Sequence, residues 1–384
     1  MICRIILKVF RVSIASEDFL LRNNLTGWVD KNFLCGIKEW KTIDYIWKED
    51  GLLATLKDVA RLANVDASTV SRALNNTSYV HPETKKKIYA AVEQLSYKPN
   101  LLAKGLRQGK RHTIGVVIPE INFSIFGEMV QGIEIQARKM GYSIIICNTK
   151  DKQDAEEECL SRLRNGLVDG ILIAATGQNG RLLRDIKSSG ISVMQIVRNQ
   201  DNLLSSVVAN YYACGYEAVQ YLYGKGCRHI GFINGSMEII PYKERYKGYR
   251  KAIRELSAEG YVSCTAYSQR DYFKGGYNGI LELIEKGDEL DGLMVAVDMQ
   301  GLGAIRALKE RGIKVPDEIK VISLTGHSIG GMLETAMTSM EVPAKEMGEE
   351  VTKMIVSDIE SEPDKKSSPF HKVFEASLIE RETT

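Results

Sequence analysis

The 384-residue chain lacks the patterns that mark several large protein classes. Its seven cysteines are scattered and never spaced as C-x-x-C, and it has only five histidines. This pattern indicates reduced thiols rather than a disulfide framework or a zinc site, and we expect neither a metal nor a cofactor. No segment approaches the roughly 20 uncharged apolar residues of a membrane span. We therefore expect a cytoplasmic protein whose length allows two or three domains.

The net charge of +2 conceals an uneven distribution along the chain. Residues 54–112 contain 11 basic and 4 acidic side chains, a net charge of +7. Residues 113–384 contain 32 basic and 38 acidic side chains, a net charge of −6. A short basic module joined to a large acidic body predicts a polyanion-binding head on a body with a different task.

Residues 1–53 form an N-terminal extension without a sustained hydrophobic period, and they make a poor signal peptide. Two interpretations stay open: a small extra domain, or a mis-assigned start. We favour the second, because Lys48-Glu49-Asp50 can be encoded by a purine-rich ribosome-binding sequence. Leu53 then lies at a suitable spacing for a TTG start codon. A gene without that purine run would contradict this hypothesis.

The segment that follows Leu53 has the pattern of a helix-turn-helix. Thr55, with Asp58 three residues later, predicts a capping box at the start of a first helix. A turn follows near Asp66 and leads into a second helix, and a third amphipathic helix comes next. In this layout the second helix enters the major groove of DNA. The expected inward-facing residues of the three helices are Val59, Ala60, Leu62, Ala63, Val70, Leu74, Ile88, Val92 and Leu95.

This head resembles that of the LacI/GalR family of bacterial repressors in the runs TLKDVARLANVDASTVSRALNN, HPETKKKIYAAVEQLSYKPN and LLAKGLR. The sequence departs from the family at Asp66 and at His81, where serine is usual. The resemblance implies contacts to base edges or phosphates by Thr55, Ala67, Ser68, Thr69, Ser71, Arg72, Asn75 and Tyr79. It also implies a hinge helix over residues 99–112, with Ala103, Lys104 and Leu106 in the minor groove.

From His112 onward, short apolar segments alternate with amphipathic ones, as in TIGVVIP, MVQGIEIQARKMG, YSIIICN and AEEECLSRLRNG. A second set of the same kind begins after ISVMQIV. This alternation predicts parallel sheets covered by helices on both faces, and two sets predict two Rossmann-like lobes. In such folds the ligand crevice lies at the carboxyl ends of the strands.

The body resembles the two-lobed, periplasmic-binding-protein-like effector domain of the same family in IGVVIPEINFSIFGEMVQGIE, RYKGYRKAI and VAVDMQGLGAIRALKERGIKVP. The resemblance implies a small carbohydrate-like effector. The implied contacts are Ile125, Phe126, Arg198, Asn210, Arg245, Asp271, Tyr272, Phe273, Asp298 and His327. Because Arg198, Arg245 and His327 together would make the pocket cationic, we expect an acidic effector such as a uronic acid or a sugar phosphate.

An enzymatic alternative rests on Gly326-x-Ser328-x-Gly330, which has the G-x-S-x-G form of a hydrolase nucleophile elbow. The chain downstream of Ser328 is too short for the remaining hydrolase fold, so we expect no catalysis. A dinucleotide enzyme is also excluded, because no G-x-G-x-x-G follows the first strand. We therefore expect a homodimeric, DNA-binding repressor of a carbohydrate operon. Its expected domains are a head at 54–98, a hinge at 99–112 and an effector-binding and dimerisation body at 113–384.

Overall fold

The computed structural model describes residues 54–75, 78–97, 110–264, 271–285, 289–326, 328–362 and 368–384. The expectations for residues 1–53, Ala103, Lys104, Leu106 and His327 fall outside these ranges. The chain divides between Asn100 and Leu101 into two compact units, which we call the head and the body.

The head consists of three helices: α1 (Leu56–Ala63), α2 (Ala67–Asn75) and α3 (Pro82–Gln94). The capping box is confirmed, because Thr55 Oγ1 accepts from Asp58 N while Thr55 N donates to Asp58 Oδ2 at 2.9 Å. Asn64 then ends α1 in the left-handed conformation, which starts the predicted turn. One expectation was wrong: Leu62 is 45% exposed and does not join the apolar face of α1. The buried core of the head consists of Val59, Ala60, Ala63, Val70, Ala73, Ile88 and Ala91.

The body contains two six-stranded sheets, as the alternating pattern predicted. The strands of sheet 1 are β1 (Thr113–Ile118), β2 (Ser143–Asn148), β3 (Gly170–Ile173), β4 (Ser192–Ile196), β5 (Ser205–Ala209) and β11 (His371–Phe374). The strands of sheet 2 are β6 (His229–Asn234), β7 (Glu259–Cys264), β8 (Gly292–Val295), β9 (Lys320–Gly326), β10 (Thr338–Glu341) and β12 (Ser377–Ile379).

The strand orders are β11-β5-β4-β3-β1-β2 and β12-β10-β9-β8-β6-β7, and every pairing is parallel except that of β10 with β12. Sheet 1 and its helices form lobe 1, and sheet 2 and its helices form lobe 2. The lobe 1 helices are α4 (Ser124–Lys139), α5 (Gln153–Arg164), α6 (Gly180–Ser188) and α11 (Ala344–Glu360). The lobe 2 helices are α7 (Tyr211–Gly224), α8 (Ile240–Leu256), α9 (Tyr272–Glu285) and α10 (Asp298–Glu310).

The chain crosses between the lobes three times: from β5 to α7, from β10 to α11 and from β11 to β12. The sequence pattern did not mark β5, β7, β10, β11 or β12, which are short or rich in polar residues and glycine. Strand β2 lies at one edge of sheet 1, and its Ile145 and Ile146 are 37% and 41% exposed. Among the described helices, none combines the length and apolarity needed to span a membrane.

Two helix pairs in lobe 2 cross at glycines so closely that backbone touches backbone. A Cβ built on Gly215 of α7 would lie 2.1 Å from the Arg245 carbonyl oxygen of α8, and one on Gly248 would lie 2.1 Å from the Tyr212 carbonyl oxygen. In α9 and α10, Gly276 and Gly303 meet the partner helix in the same way. Because each crossing lies about one to two turns into its helices, it fixes the first turns that follow the strand ends.

Candidate DNA-reading surface and effector crevice

The recognition-helix candidate α2 presents a polar face opposite its buried Val70 and Ala73. Ser68, Arg72 and Asn75 are exposed on this face, at the i, i+4 and i+7 spacing of one side of a helix. Arg72 Nη2 donates to Ser68 Oγ at 3.2 Å, and Asn75 Nδ2 donates to the Ser71 carbonyl at 2.8 Å. The Arg72 guanidinium is therefore held along the helix surface beside Ser68.

The family departures at Asp66 and His81 both lie at helix starts. The Asp66 carbonyl accepts from Thr69 N and Val70 N, so the backbone starts α2 while the residue itself is exposed. His81 Nδ1 accepts from Glu83 N at 3.4 Å and takes the place of a serine cap on α3. Histidine is therefore compatible with this helix start.

Tyr79 stands beside α3 and is 84% exposed. It lines an open groove of about 690 Å³ together with Lys85, Lys86 and Tyr89, and Lys85 Nζ lies 6.0 Å from the centre of the Tyr89 ring. Thr55, by contrast, uses its hydroxyl in the capping box. Ala67, Thr69 and Ser71 are only partly exposed, which leaves the longer side chains as the outermost part of the head's polar face.

In the body, buried charged residues collect at the carboxyl ends of the strands. Arg198 follows β4, and Asp151 follows β2. The Arg198 guanidinium binds the Asp151 carboxylate through two hydrogen bonds of 2.5 and 2.7 Å, with only 7% and 10% of the two side chains exposed. Arg198 Nη1 also donates to the Ala175 carbonyl at 3.3 Å, after β3. This planar, bidentate ion pair is a specific arrangement that fixes both side chains.

The backbone around this ion pair adopts uncommon conformations. Val197 has φ of 63° and Asp151 has φ of 55°, which places both in the left-handed region. For a β-branched residue such as Val197 this conformation costs about 1–3 kcal/mol, and such strain is concentrated at functional sites. The left-handed backbone at Val197 ends β4, so that Arg198 follows the strand end and does not extend the strand.

Across the crevice, Arg245 is 2% exposed and lies against two aromatic rings. Its guanidinium carbon is 4.8 Å from the centre of the Tyr211 ring and 6.0 Å from that of Tyr242. Arg245 Nη1 donates to the Ala296 carbonyl at 3.4 Å, two residues before the buried Asp298 that begins α10. Arg245, from α8, and Asp298, from the start of α10, therefore both lie near the carboxyl end of β8 in lobe 2.

Two aromatic residues meet between the lobes. The ring centres of Phe123, from lobe 1, and Tyr272, from lobe 2, lie 4.6 Å apart in an edge-to-face arrangement. The Tyr242 hydroxyl lies 3.4 Å from that of Tyr272. Burial raises the pKa of both tyrosines. Each therefore keeps its hydroxyl proton at neutral pH and can donate a hydrogen bond.

The other residues implied by the resemblance lie in different environments. Ile125 and Phe126 are 9% and 5% exposed and pack in the core of lobe 1, where the Phe126 ring centre lies 6.5 Å from that of Phe123. Asn210 caps α7 by accepting from Ala213 N and also donates to Glu375. Asp271 and Phe273 are exposed on either side of Tyr272.

Phe123, Asp151, Tyr211 and Tyr242 are crevice residues that the sequence analysis did not name. A usable signal existed for two of them, because Phe123 and Asp151 each follow the end of an apolar strand, β1 or β2, within five residues. The side chains that meet in this crevice combine two arginines, two aspartates and several aromatic rings. This composition suits recognition of a polar ligand with apolar faces.

Comparisons with known proteins agree with this architecture. Residues 55–100 match the bacterial regulatory proteins of the lacI family, and residues 219–384 match the periplasmic binding protein-like domain. Catabolite control protein A of Priestia megaterium is 31% identical over 77% of this chain and 89% of its own length.

Two solved structures cover 86–87% of this chain. The transcriptional regulator CelR, in its complex with cellobiose, is 26% identical to this chain, is matched over its full length and has a TM-score of 0.65. The Lac repressor dimer bound to operator and an anti-inducer is 20% identical, is matched over 99% of its chain and has a TM-score of 0.77. The proteins of this kind are regulators and not enzymes, so the hydrolase alternative gains no support. With a family-specific head, a two-lobed body and a relative above 30% identity, this chain belongs to the LacI family of bacterial transcriptional regulators.

Proposed function

We propose that this chain is a cytoplasmic, homodimeric repressor of a carbohydrate-use operon, and that an uncharged sugar in the crevice between the lobes controls its binding to operator DNA. The bidentate Arg198–Asp151 ion pair is the observation that supports an uncharged sugar as the ligand of the crevice. The two relatives of known structure support the ligand class and the dimer, because one holds cellobiose and the other is an operator-bound dimer.

The charge balance of the crevice determines the proposed ligand class. An acidic effector was expected from three cationic side chains, but Asp151 neutralises Arg198, and the buried Asp298 lies two residues after Ala296, whose carbonyl accepts from Arg245. Displacing Asp151 from Arg198 with an anionic ligand would leave a buried carboxylate without its main partner, at a cost of several kcal/mol. Hydroxyl groups, in contrast, donate to carboxylates and accept from guanidinium groups at the same time. The partly exposed rings of Phe123 and Tyr272 suit the apolar faces of a sugar ring.

The DNA-binding half of the proposal assigns base reading to α2. Paired heads in a dimer would read two half-sites of a pseudo-palindrome, and the hinge over residues 99–112 would connect each head to its body. The sugar is proposed to lower operator affinity. By linkage, operator DNA must then lower sugar affinity by the same factor.

The test of the proposed effector class is operator binding by the full chain, measured by gel shift on the promoter DNA beside its gene. We expect one neutral sugar, among cellobiose and other neutral mono- and disaccharides, to release the DNA. We expect matched uronic acids and sugar phosphates to have no effect. Calorimetry that shows binding of an acid sugar, and no binding of neutral ones, would contradict the proposed charge balance.

Arg72→Ala tests the proposed role of α2. Loss of a bidentate base contact costs about 1–3 kcal/mol of discrimination. We therefore expect the variant to bind operator and a mutated operator with nearly equal affinity, while sugar binding in the body is unchanged. Arg61→Ala is the matched control, because Arg61 is also exposed in the head but pairs with Asp58 on α1. Normal operator selection by Arg72→Ala would show that α2 is not the reading helix.

A further inference from the structure

The two lobes hold the start of their first strand with the same device. An aspartate precedes the third strand of each lobe: Asp169 stands before β3 in VDGILI, and Asp291 stands before β8 in LDGLMV. Their positions in the two sheets are equivalent, because β3 begins to pair with β1, and β8 with β6, at the residue that follows each aspartate. Both aspartates are half-buried. They therefore form a matched pair within one chain.

The Asp169 carboxylate accepts hydrogen bonds from two backbone amides of the chain that enters β1. Arg111 N donates to its Oδ1 at 2.8 Å and to its Oδ2 at 2.9 Å, and Thr113 N donates to its Oδ2 at 3.3 Å. Asp169 N donates in return to the Thr113 carbonyl at 2.9 Å. Because both amides precede the first residue of β1 that pairs with β3, the carboxylate supplies acceptors that the strand β3 does not.

Further contacts hold the same segment, residues 111–113. Arg111 Nε donates to the Gly166 carbonyl at 3.1 Å, and Ser143 N of β2 donates to the His112 carbonyl at 2.8 Å. His112 has a φ of 50°, in the left-handed region, and its ring meets that of Tyr142 edge-to-face at 5.3 Å. A residue other than glycine adopts this conformation where its surroundings impose it. The segment therefore has a defined path on lobe 1, which we call the hinge anchor.

The two aspartates differ in the chain that they hold. Asp291 accepts from Arg228 N at 2.6 Å and from His229 N at 2.9 Å, and the chain that reaches it comes from α7 of the same lobe. The chain that reaches Asp169 is the proposed hinge over residues 99–112. The same hydrogen-bonding device is thus internal to lobe 2, whereas in lobe 1 it holds the connection to the DNA-binding head.

We propose that Asp169 is a positioning residue for operator binding: its carboxylate fixes the body end of the hinge to lobe 1 and thereby sets the path on which the hinge leaves the body. The anchoring of residues 111–113 stands independently of the proposed function. Its consequence for operator affinity rests on that function, because the hinge is proposed to connect each DNA-bound head to its body.

The hinge anchor and the effector crevice lie at opposite ends of the same strand. Asp169 precedes β3, and Ala175 follows it. The Ala175 carbonyl accepts from Arg198, the partner of Asp151, at 3.3 Å. A buried strand of four residues therefore connects the crevice ion pair with the hinge anchor. A displacement of lobe 1 at the crevice carries the body end of the hinge with it.

The first experiment measures hydrogen exchange of single amides in the full chain. Asparagine in place of Asp169 keeps one acceptor oxygen and presents an NH₂ donor in place of the other. We expect the amides of Arg111 and Thr113 to exchange about tenfold faster in Asp169→Asn, because their shared acceptor is weakened. The control Asp291→Asn should accelerate exchange at Arg228 and leave residues 111–113 unchanged. Unchanged exchange of residues 111–113 in Asp169→Asn would overturn the hinge anchor.

The second experiment measures binding of the same proteins, without sugar, to the promoter DNA beside the gene and to unrelated DNA. We expect Asp169→Asn to lower operator affinity about tenfold, because a released hinge end has more conformational freedom to lose on binding. Removal of a negative charge alone would strengthen binding to DNA, so a weaker complex cannot result from the charge change. Asp291→Asn removes the same charge and should bind operator as the wild type does.

The outcomes separate the inference from the proposed function. Wild-type operator affinity in Asp169→Asn, despite faster exchange of residues 111–113, would overturn the positioning role. An equal loss of affinity in Asp291→Asn would overturn it as well, because the effect would then reflect the stability of the body. A wild-type chain that does not distinguish the promoter from unrelated DNA would contradict the proposed function and the positioning role together, while the exchange data would still decide whether Asp169 anchors the segment.

Discussion

Asp151→Ala is expected to destabilise the body by about 3–5 kcal/mol, because it leaves the buried Arg198 guanidinium without its carboxylate. Removing one partner of a buried ion pair costs far more than the intact pair contributes, since the remaining charge stays away from water. The same substitution should weaken sugar binding by about 2–5 kcal/mol, because Arg198 loses its fixed orientation. Urea unfolding and calorimetry on the full chain measure the two effects separately.

Two further variants distinguish this effect from a general loss of charge. Asp151→Asn keeps the size of the side chain and one acceptor oxygen, so its destabilisation should lie between those of wild type and Asp151→Ala. Glu134→Ala removes the carboxylate of the exposed Arg138–Glu134 pair and should change stability by no more than about 1 kcal/mol. If Asp151→Ala unfolds with the same midpoint as Glu134→Ala, the ion pair does not hold the crevice together.

Local rules were sufficient to predict the head. A capping box needs only Thr55 and Asp58, three residues apart, and the helix faces follow from apolar spacing within one turn. The exposed Leu62 shows the limit of that reasoning, because periodicity assigns a face but does not show where the neighbouring helices end. The strand–helix alternation of the body was equally readable, since parallel strands covered on both faces are continuously apolar.

The crevice was less predictable because its contacts are set by topology. Arg198 and Asp151 are 47 residues apart, and their strands β4 and β2 are separated in the sheet by β3 and β1. No sequence rule pairs them, so Arg198 was counted without its carboxylate and, together with Arg245 and His327, suggested a cationic pocket. Similarly, INFSIF contains two phenylalanines three residues apart. Only the start of α4 determines that Phe126 turns into the core while Phe123 contacts Tyr272 of the other lobe.

Gly248→Ala is expected to separate α7 from α8 and to destabilise lobe 2 by about 3 kcal/mol, the upper part of the range for overpacking. The new methyl group would lie 2.1 Å from the Tyr212 carbonyl oxygen. That oxygen belongs to the helix backbone, so the clash cannot be relieved by a side-chain rotation. Thermal unfolding of the full chain measures the loss.

The position of Gly248 predicts a second effect, on the crevice. Gly248 lies three residues after Arg245, and the reciprocal contact at Gly215 is with the Arg245 carbonyl itself. Separating the helices therefore moves Arg245 away from the Tyr211 ring, which also belongs to α7. Sugar affinity should fall together with stability, whereas operator binding by the head in the absence of sugar should persist at temperatures where the body is folded.

Gly224→Ala provides the matched control on α7, the helix that α8 crosses at Gly248. A Cβ at Gly224 meets no atom within 4 Å, so alanine should leave stability unchanged or raise it by up to about 1 kcal/mol through its higher helix propensity. A Gly248→Ala variant as stable as Gly224→Ala would show that the two helices can separate without cost. The close crossing would then not be the element that positions Arg245, and the site would have to be held from its strand ends alone.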